Sequence, residues 1–166
     1  MTLLILSDSH GDLKNMATII DREIPQAVFH LGDHDSDAAR ISKQFPQLPF
    51  YSVSGNCDSF CSVAPDSILT ELEGVRILAV HGHKQNVKLG MLNLSMTARE
   101  AQAQLVLFGH THQAYCQQEE DGLWVLNPGS CGYYGGSAGL ILADNGKIWR
   151  CLILKEEDLL DLHRYR

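Results

Sequence analysis

The hydrophobic residues of this chain fall into short unbroken runs, each closed by glycine, acid or histidine. Residues 2–7 form an apolar run of strand length, the pattern of a strand covered on both faces. Asp12 then caps a helical pattern with Leu13, Met16, Ala17, Ile19 and Ile20 on one side. Residues 26–31 are a second run, ended by Gly32. Ser36 opens another helical pattern that passes Ile41, reaches Phe45 and stops at Pro46. Residues 50–53 form a third strand, ended by Gly55. This β-α-β-α-β order predicts parallel strands joined by right-handed crossovers.

The second half changes character. Residues 67–72 and 75–80 are strand runs around Glu73-Gly74, a hairpin pattern. Residues 87–103 read as a helix, because Ala98, Arg99, Glu100, Ala101, Gln102 and Ala103 are mostly good helix formers. Residues 105–108 are a strand ended by Gly109. Residues 114–118 and 123–126 flank Asp121-Gly122. Residues 139–143 and 147–154 flank Asn145-Gly146, the strongest two-residue hairpin signal. The tail, residues 156–166, is expected to be helical or frayed. These strands are too many for one small sheet. The predicted fold is therefore α/β, with two stacked sheets and helices outside, in one domain over residues 1–166.

Composition narrows the partners. With 166 residues, 45% of them hydrophobic and 20% charged, the chain can bury a sizeable core and is not a disordered segment. A net charge of −7 disfavours nucleic acid as a partner, and with it a nuclease, because counterion replacement needs a basic face. No apolar run of about 18 residues exists, so no membrane partner is expected. Residues 1–8 lack a basic start, so no secretion signal is expected. The five cysteines, an odd number without a CxxC pair, then read as reduced thiols of a cytoplasmic chain. An apolar strip on the C-terminal hairpin would allow a homo-oligomer.

The chemistry sits where the runs end. The first strand closes in Ser7-Asp8-Ser9-His10 and the second in Gly32-Asp33. The third closes in Gly55-Asn56-Cys57-Asp58. Two later strands close in His81-Gly82-His83 and Gly109-His110-Thr111-His112. In open α/β sheets, ligands bind beyond the carboxyl ends of parallel strands, so these five motifs are expected to converge. His110 and His112 alternate, which on an extended segment would put both on one face. The donors are Asp8, His10, Asp33, Asn56, His81, His110 and His112. Seven exceed the four of one tetrahedral ion and suit two ions sharing a carboxylate. Imidazole, carboxylate and amide without thiolate suit Mn²⁺, Fe²⁺, Ni²⁺ or Zn²⁺ better than Ca²⁺ or Mg²⁺.

The succession Asp-x-His, Gly-Asp, Gly-Asn-x-Asp, His-Gly-His, Gly-His-Thr-His resembles the calcineurin-like metallophosphoesterase superfamily. The short length, Cys57, and Asn127-Pro128-Gly129-Ser130 look like its small phosphodiesterases of the YfcE type. The resemblance spans about residues 3–154. It implies a four-layer α/β/β/α sandwich of two mixed sheets flanked by helices. It implies one metal on Asp8, His10, Asp33 and His112, and a second on Asp33, Asn56, His81 and His110. The activity implied is hydrolysis of a small-molecule phosphodiester by a hydroxide bridging two metals, most readily Mn²⁺. The catalytic residues expected are Asn56, Asp58 and His83: His83 or Asn56 would stabilise developing charge beside the metals, and Asp58 would orient a nearby ligand or histidine. The alternatives are a phosphomonoesterase, or a non-catalytic protein-binding scaffold such as the retromer subunit of this fold.

Two departures from the family pattern bear on the substrate. Many members carry histidine where Cys57 stands, and a neutral thiol is a weak proton donor. Activated esters and diesters are then favoured over alkyl monoesters. After Ser130 the chain runs Cys131-Gly132-Tyr133-Tyr134-Gly135-Gly136, without the basic residue often found there. Tyr133 and Tyr134 would stack on substrate or pack. His30 reads as a hydrogen-bonded core histidine and His163 as inert. His34, Asp35 and Asp37 either line the pocket or, for the two acids, carry solvated charge.

Overall fold

A computed structural model describes residues 1–58, 62–132 and 136–155. Tyr133, Tyr134, His163 and the tail lie outside them. The elements run β1 (Thr2–Leu6), α1 (Leu13–Glu23), β2 (Ala27–His30), α2 (Asp35–Ser42), β3 (Phe50–Ser52), β4 (Ser67–Leu72) and β5 (Val75–Val80). There follow α3 (Leu92–Glu100), β6 (Leu105–Leu107), β7 (Tyr115–Gln118), β8 (Trp124–Asn127), β9 (Ser137–Asp144) and β10 (Lys147–Lys155).

The unbroken apolar runs have a direct cause: alternate residues of one strand serve two different cores. On β1 and β2, Leu3, Ile5, Ala27 and Phe29 face one way, toward Ile77, Ala79, Leu105, Leu107 and Leu126 of the other sheet. Leu4, Leu6 and Val28 face the other way, under Met16, Ile19 and Ile20 of α1 and Ile41 of α2. In the second sheet Leu78, Val80, Val106 and Val125 pack against Leu94 and Ala98 of α3. The result is four layers, α/β/β/α.

The first sheet has strand order β10-β9-β1-β2-β3 and the second β4-β5-β6-β8-β7. β1, β2 and β3 are parallel, with Leu4 opposite Val28 and Phe29 opposite Tyr51. β5, β6 and β8 are parallel, with Leu78 opposite Val106 and Val106 opposite Val125. Antiparallel strands close both sheets, which makes them mixed. The Asn145-Gly146 hairpin forms as expected, with both residues at positive φ.

The helix expected over residues 87–103 is shorter. Only Leu92–Glu100 is α3. Asn86 (φ 55°) and Gly90 (φ 150°) leave helical space, and Val87 is drawn into the core beside Phe108. The preceding loop coils on Gly82, whose carbonyl accepts from the backbone N–H of Gln85 and Val87. Val87 is therefore a loop anchor, which periodicity alone counts into the helix.

His30 is fully buried, and its ring Nε2 lies 3.1 Å from Ser9 Oγ. Ser9 Oγ donates to Asp37 Oδ2, so it accepts from the imidazole N–H. Burial, partly opposed by Asp37, pushes the His30 pKa down to about 4. The folded chain then holds fewer protons than the unfolded chain between about pH 4 and 6.5, so stability rises with pH across that window. Relative to His30→Leu, urea stability is expected to fall by about 3 kcal/mol from pH 7 to 4. Parallel pH profiles for the two proteins would contradict a neutral buried His30.

Candidate metal centre

All five motif loops leave the carboxyl ends of parallel strands and meet between the two sheets. Ligand atoms of Asp8, His10, Asp33 and His112 lie within 4.8 Å of one another. Those of Asp33, His81 and His110 form a second group of the same tightness. Asp33 belongs to both. His110 and His112 enter different groups because each adopts positive φ, 68° and 57°, so the segment is not extended. The single shared face expected from alternation is thereby corrected.

Asp8 is fully buried. Its Oδ2 accepts from Ser7 Oγ (2.6 Å) and from the His110 backbone N–H (3.3 Å). Its Oδ1 is buried without a hydrogen bond, 3.1 Å from His112 Nε2. Burial raises the Asp8 pKa against the lowering effect of Ser7 and the nearby histidines. A buried carboxylate oxygen with a spare lone pair, facing an imidazole nitrogen, is a place for a cation.

The second group carries its own protonation argument. His81 Nδ1 lies 2.6 Å from the Leu31 carbonyl, which only accepts, so Nδ1 holds the proton. In the neutral ring Nε2 then turns a lone pair toward Asn56 Oδ1 (3.1 Å) and Asp33 Oδ1 (3.3 Å). Asn56 Nδ2 donates to Cys57 Sγ, which orients the amide oxygen inward. Three acceptors facing one another repel unless a cation sits among them, and this carbonyl-held tautomer is the form that binds metal. Burial, then His81, then Lys88 push His110 down to about 4, so its ring is neutral at pH 7. Burial would raise Asp33, but the Cys57 N–H and His81 outweigh it and hold the carboxyl below its usual range. The donor set therefore fits divalent metal.

The backbone around these donors is unusual. Asp8, His10, Asp33, His34, His110 and His112 all have positive φ. Each costs about 1–2 kcal/mol, a strain concentrated at the site. Gly55 and Gly109 are required for space: a Cβ would lie 2.2 Å from Asp33 Oδ1 at Gly55 and 2.1 Å from Ser7 Oγ at Gly109.

The other motif residues have distinct places. Asp58 accepts from the backbone N–H of Asp33 (3.1 Å), His34 (2.7 Å), Asp35 (2.8 Å) and Gly55 (2.6 Å). It ties the Asp33 and Asn56 loops together. His83 has its ring 5.4 Å from that of His81, with a buried Nδ1 lacking a hydrogen bond. Burial, then His81, lowers its pKa. His34 stacks edge-on against His10 at 5.1 Å. Asp37 is buried and accepts from Ser9 Oγ and the Gly11 N–H, so it is neither solvated nor pocket-lining. Asp35 accepts from Ser62.

Sequence reasoning missed the buttress of the site. Asn127 Nδ2 donates to the Gly109 carbonyl (3.0 Å) and Thr111 Oγ1 (2.9 Å). Ser130 Oγ donates to the Asp8 carbonyl (2.8 Å). The Asn127-Pro128-Gly129-Ser130 segment thus braces two ligand loops at once. The available signal was its position after a buried strand end.

Comparison with known proteins identifies the family. Residues 1–144 match the model of the calcineurin-like phosphoesterase superfamily domain. The chain is 35% identical over 133 residues to the probable metallophosphoesterase YsnB of Bacillus subtilis, covering 78% of this chain and 75% of that one. It is 29% identical over 166 residues to the phosphodiesterase MJ0936 of Methanocaldococcus jannaschii, covering 89% and 95%. A Streptococcus pneumoniae protein described as a predicted phosphoesterase superposes with TM-score 0.76 at 26% identity, over 94% of this chain and 90% of that one. Two mixed sheets, ligand loops at their carboxyl ends and a family match over most of the length lead to one conclusion: the chain belongs to the calcineurin-like phosphoesterase superfamily.

Proposed function

We propose that this chain hydrolyses phosphodiesters with two divalent ions, Mn²⁺ foremost and Ni²⁺, Fe²⁺ or Zn²⁺ as alternatives. The observation that carries the reading is Asp33, whose carboxylate belongs to both donor groups. Asp8, His10, Asp33 and His112 would hold one ion, and Asp33, Asn56, His81 and His110 the other. Such ions, when bound, lower the pKa of a neighbouring water toward about 7 and neutralise charge on phosphoryl oxygens.

The chain's own groups supply orientation and selectivity. The Leu31 carbonyl keeps His81 in its donor tautomer, and Asp58 holds the loops of Asp33 and Asn56 in register. His83, whose buried Nδ1 has no hydrogen bond and whose pKa burial lowers, would donate to a phosphoryl oxygen. Cys57 stands where many relatives carry an acid-donating histidine. Burial and then contact with Asp33 push its thiol above the ordinary range, so it stays protonated and donates poorly. Substrates that leave as stabilised oxyanions are favoured, which supports diesters over alkyl monoesters. The name of the Methanocaldococcus relative points the same way.

With Mn²⁺, kcat/KM for bis-p-nitrophenyl phosphate is expected to exceed that for p-nitrophenyl phosphate by about tenfold or more. EDTA is expected to abolish both activities. The reverse ratio would make this a monoesterase. Absence of metal-dependent turnover of either ester would favour a protein-binding scaffold.

A further inference from the structure

Away from the metal centre, two thiols meet across the seam between the sheets. Cys116 lies on β7 and Cys151 on β10, the strands that end the second and first sheets. These two edges approach each other on the same side of the sandwich. Cys116 stands opposite Leu126, and Cys151 opposite Ile141. Both partners belong to the core between the sheets, and both cysteines pack against it. The two thiols lie within interacting reach of each other. Both are free and half-buried, within reach of a small reagent. Cys131, by contrast, is fully buried among the residues under α1.

We propose that Cys116 and Cys151 are a modification site, forming an intramolecular disulfide on reaction with a low-molecular-weight disulfide such as glutathione disulfide. The bond staples the two sheets along their shared edge. Cys116 gives up its proton to solvent, and its sulfur attacks one sulfur of the small disulfide, expelling a first thiolate. Cys151 then loses its proton and attacks the Cys116 sulfur of the mixed disulfide, expelling the second thiolate. Two protein thiols are oxidised and one small disulfide is reduced to two thiols. With Cys151 attacking first, the same bond forms and the same two thiols leave. The inference is independent of the phosphodiesterase reading.

The test is peptide mapping of the full chain after incubation with glutathione disulfide, under non-reducing conditions. The expected product is a linked pair of peptides carrying Cys116 and Cys151, within one chain and two hydrogens lighter. The thermal midpoint rises by about 5–10 °C and returns with dithiothreitol. In Cys151→Ser the link is expected to vanish and a glutathione adduct to remain on Cys116. Cys116→Ser serves the same purpose if that variant folds poorly, and neither replaces a residue of the metal centre. A link confined to other cysteines, a link only between chains, or a persistent adduct on wild-type Cys116 would overturn the proposal.

Discussion

Asp33→Asn is expected to lower kcat/KM for bis-p-nitrophenyl phosphate by about 10³-fold or more. Removing a single electrostatic stabiliser from an active site costs about 10²–10³-fold, and Asp33 is the one carboxylate common to both donor groups. The substitution is a clean one. Asparagine keeps an oxygen for the Cys57 N–H, now 2.9 Å from Asp33 Oδ1, so urea stability is expected to stay near that of the wild type. What it removes is the negative charge between two sets of imidazoles. His112→Ala is expected to cost less, about 10–100-fold. It touches one group only, and its side chain is 45% exposed. Activity of Asp33→Asn within about threefold of wild type would remove the shared carboxylate from the mechanism.

Asp58→Ala carries the second large effect, and it acts on stability and metal together. Four backbone N–H groups from two loops converge on one half-buried carboxylate. An unpartnered donor costs about 1–3 kcal/mol when fully buried. With some of the four reaching water in the variant, a loss of about 2–4 kcal/mol is expected, read as a lower urea midpoint at unchanged slope. Metal affinity is expected to fall about 10–100-fold, because the Asp33 and Asn56 loops lose their common tie. Asp58→Asn retains two lone pairs and is expected to fall between the two. A stability unchanged from wild type in Asp58→Ala would mean that the loops hold their shape without it.

Much of the fold could be read from pattern because it rests on burial on both faces. Leu3 and Leu4 are adjacent and equally buried, yet each serves a different core. That double demand produces an unbroken apolar run, visible in one dimension. The loops that leave those runs announced the donor residues for the same reason: a parallel strand buried on both sides delivers whatever follows it to one end of the sheet. The positive φ values did not announce themselves. His110 and His112 look like an alternating pair, and only their left-handed backbones send them to different groups. Val87 fits a helical period but answers to a gap beside Gly82. Asp37 looks like a helix-start charge, and its burial depends on Ser9 and Gly11, distant in sequence. Such features come from tertiary contacts, which local propensity does not encode.

The bracing shell was hidden in the same way. Ser7, Asn127 and Ser130 each fix a ligand loop through one or two hydrogen bonds, and small polar residues of that kind are common in any loop. Their role appears only when the carbonyls of Asp8 and Gly109 are seen to end on them. Catalytic groups that carry charge or imidazole stand out in a sequence. The groups that hold them still do not.

Crystals grown in Mn²⁺ and measured at the manganese absorption edge give the most direct test. Two anomalous peaks about 3.5–4 Å apart are expected on either side of Asp33, one against Asp8, His10 and His112, the other against Asn56, His81 and His110. A single ion, an ion that bypasses Asp33, or no ion at saturating Mn²⁺ would contradict the dinuclear centre.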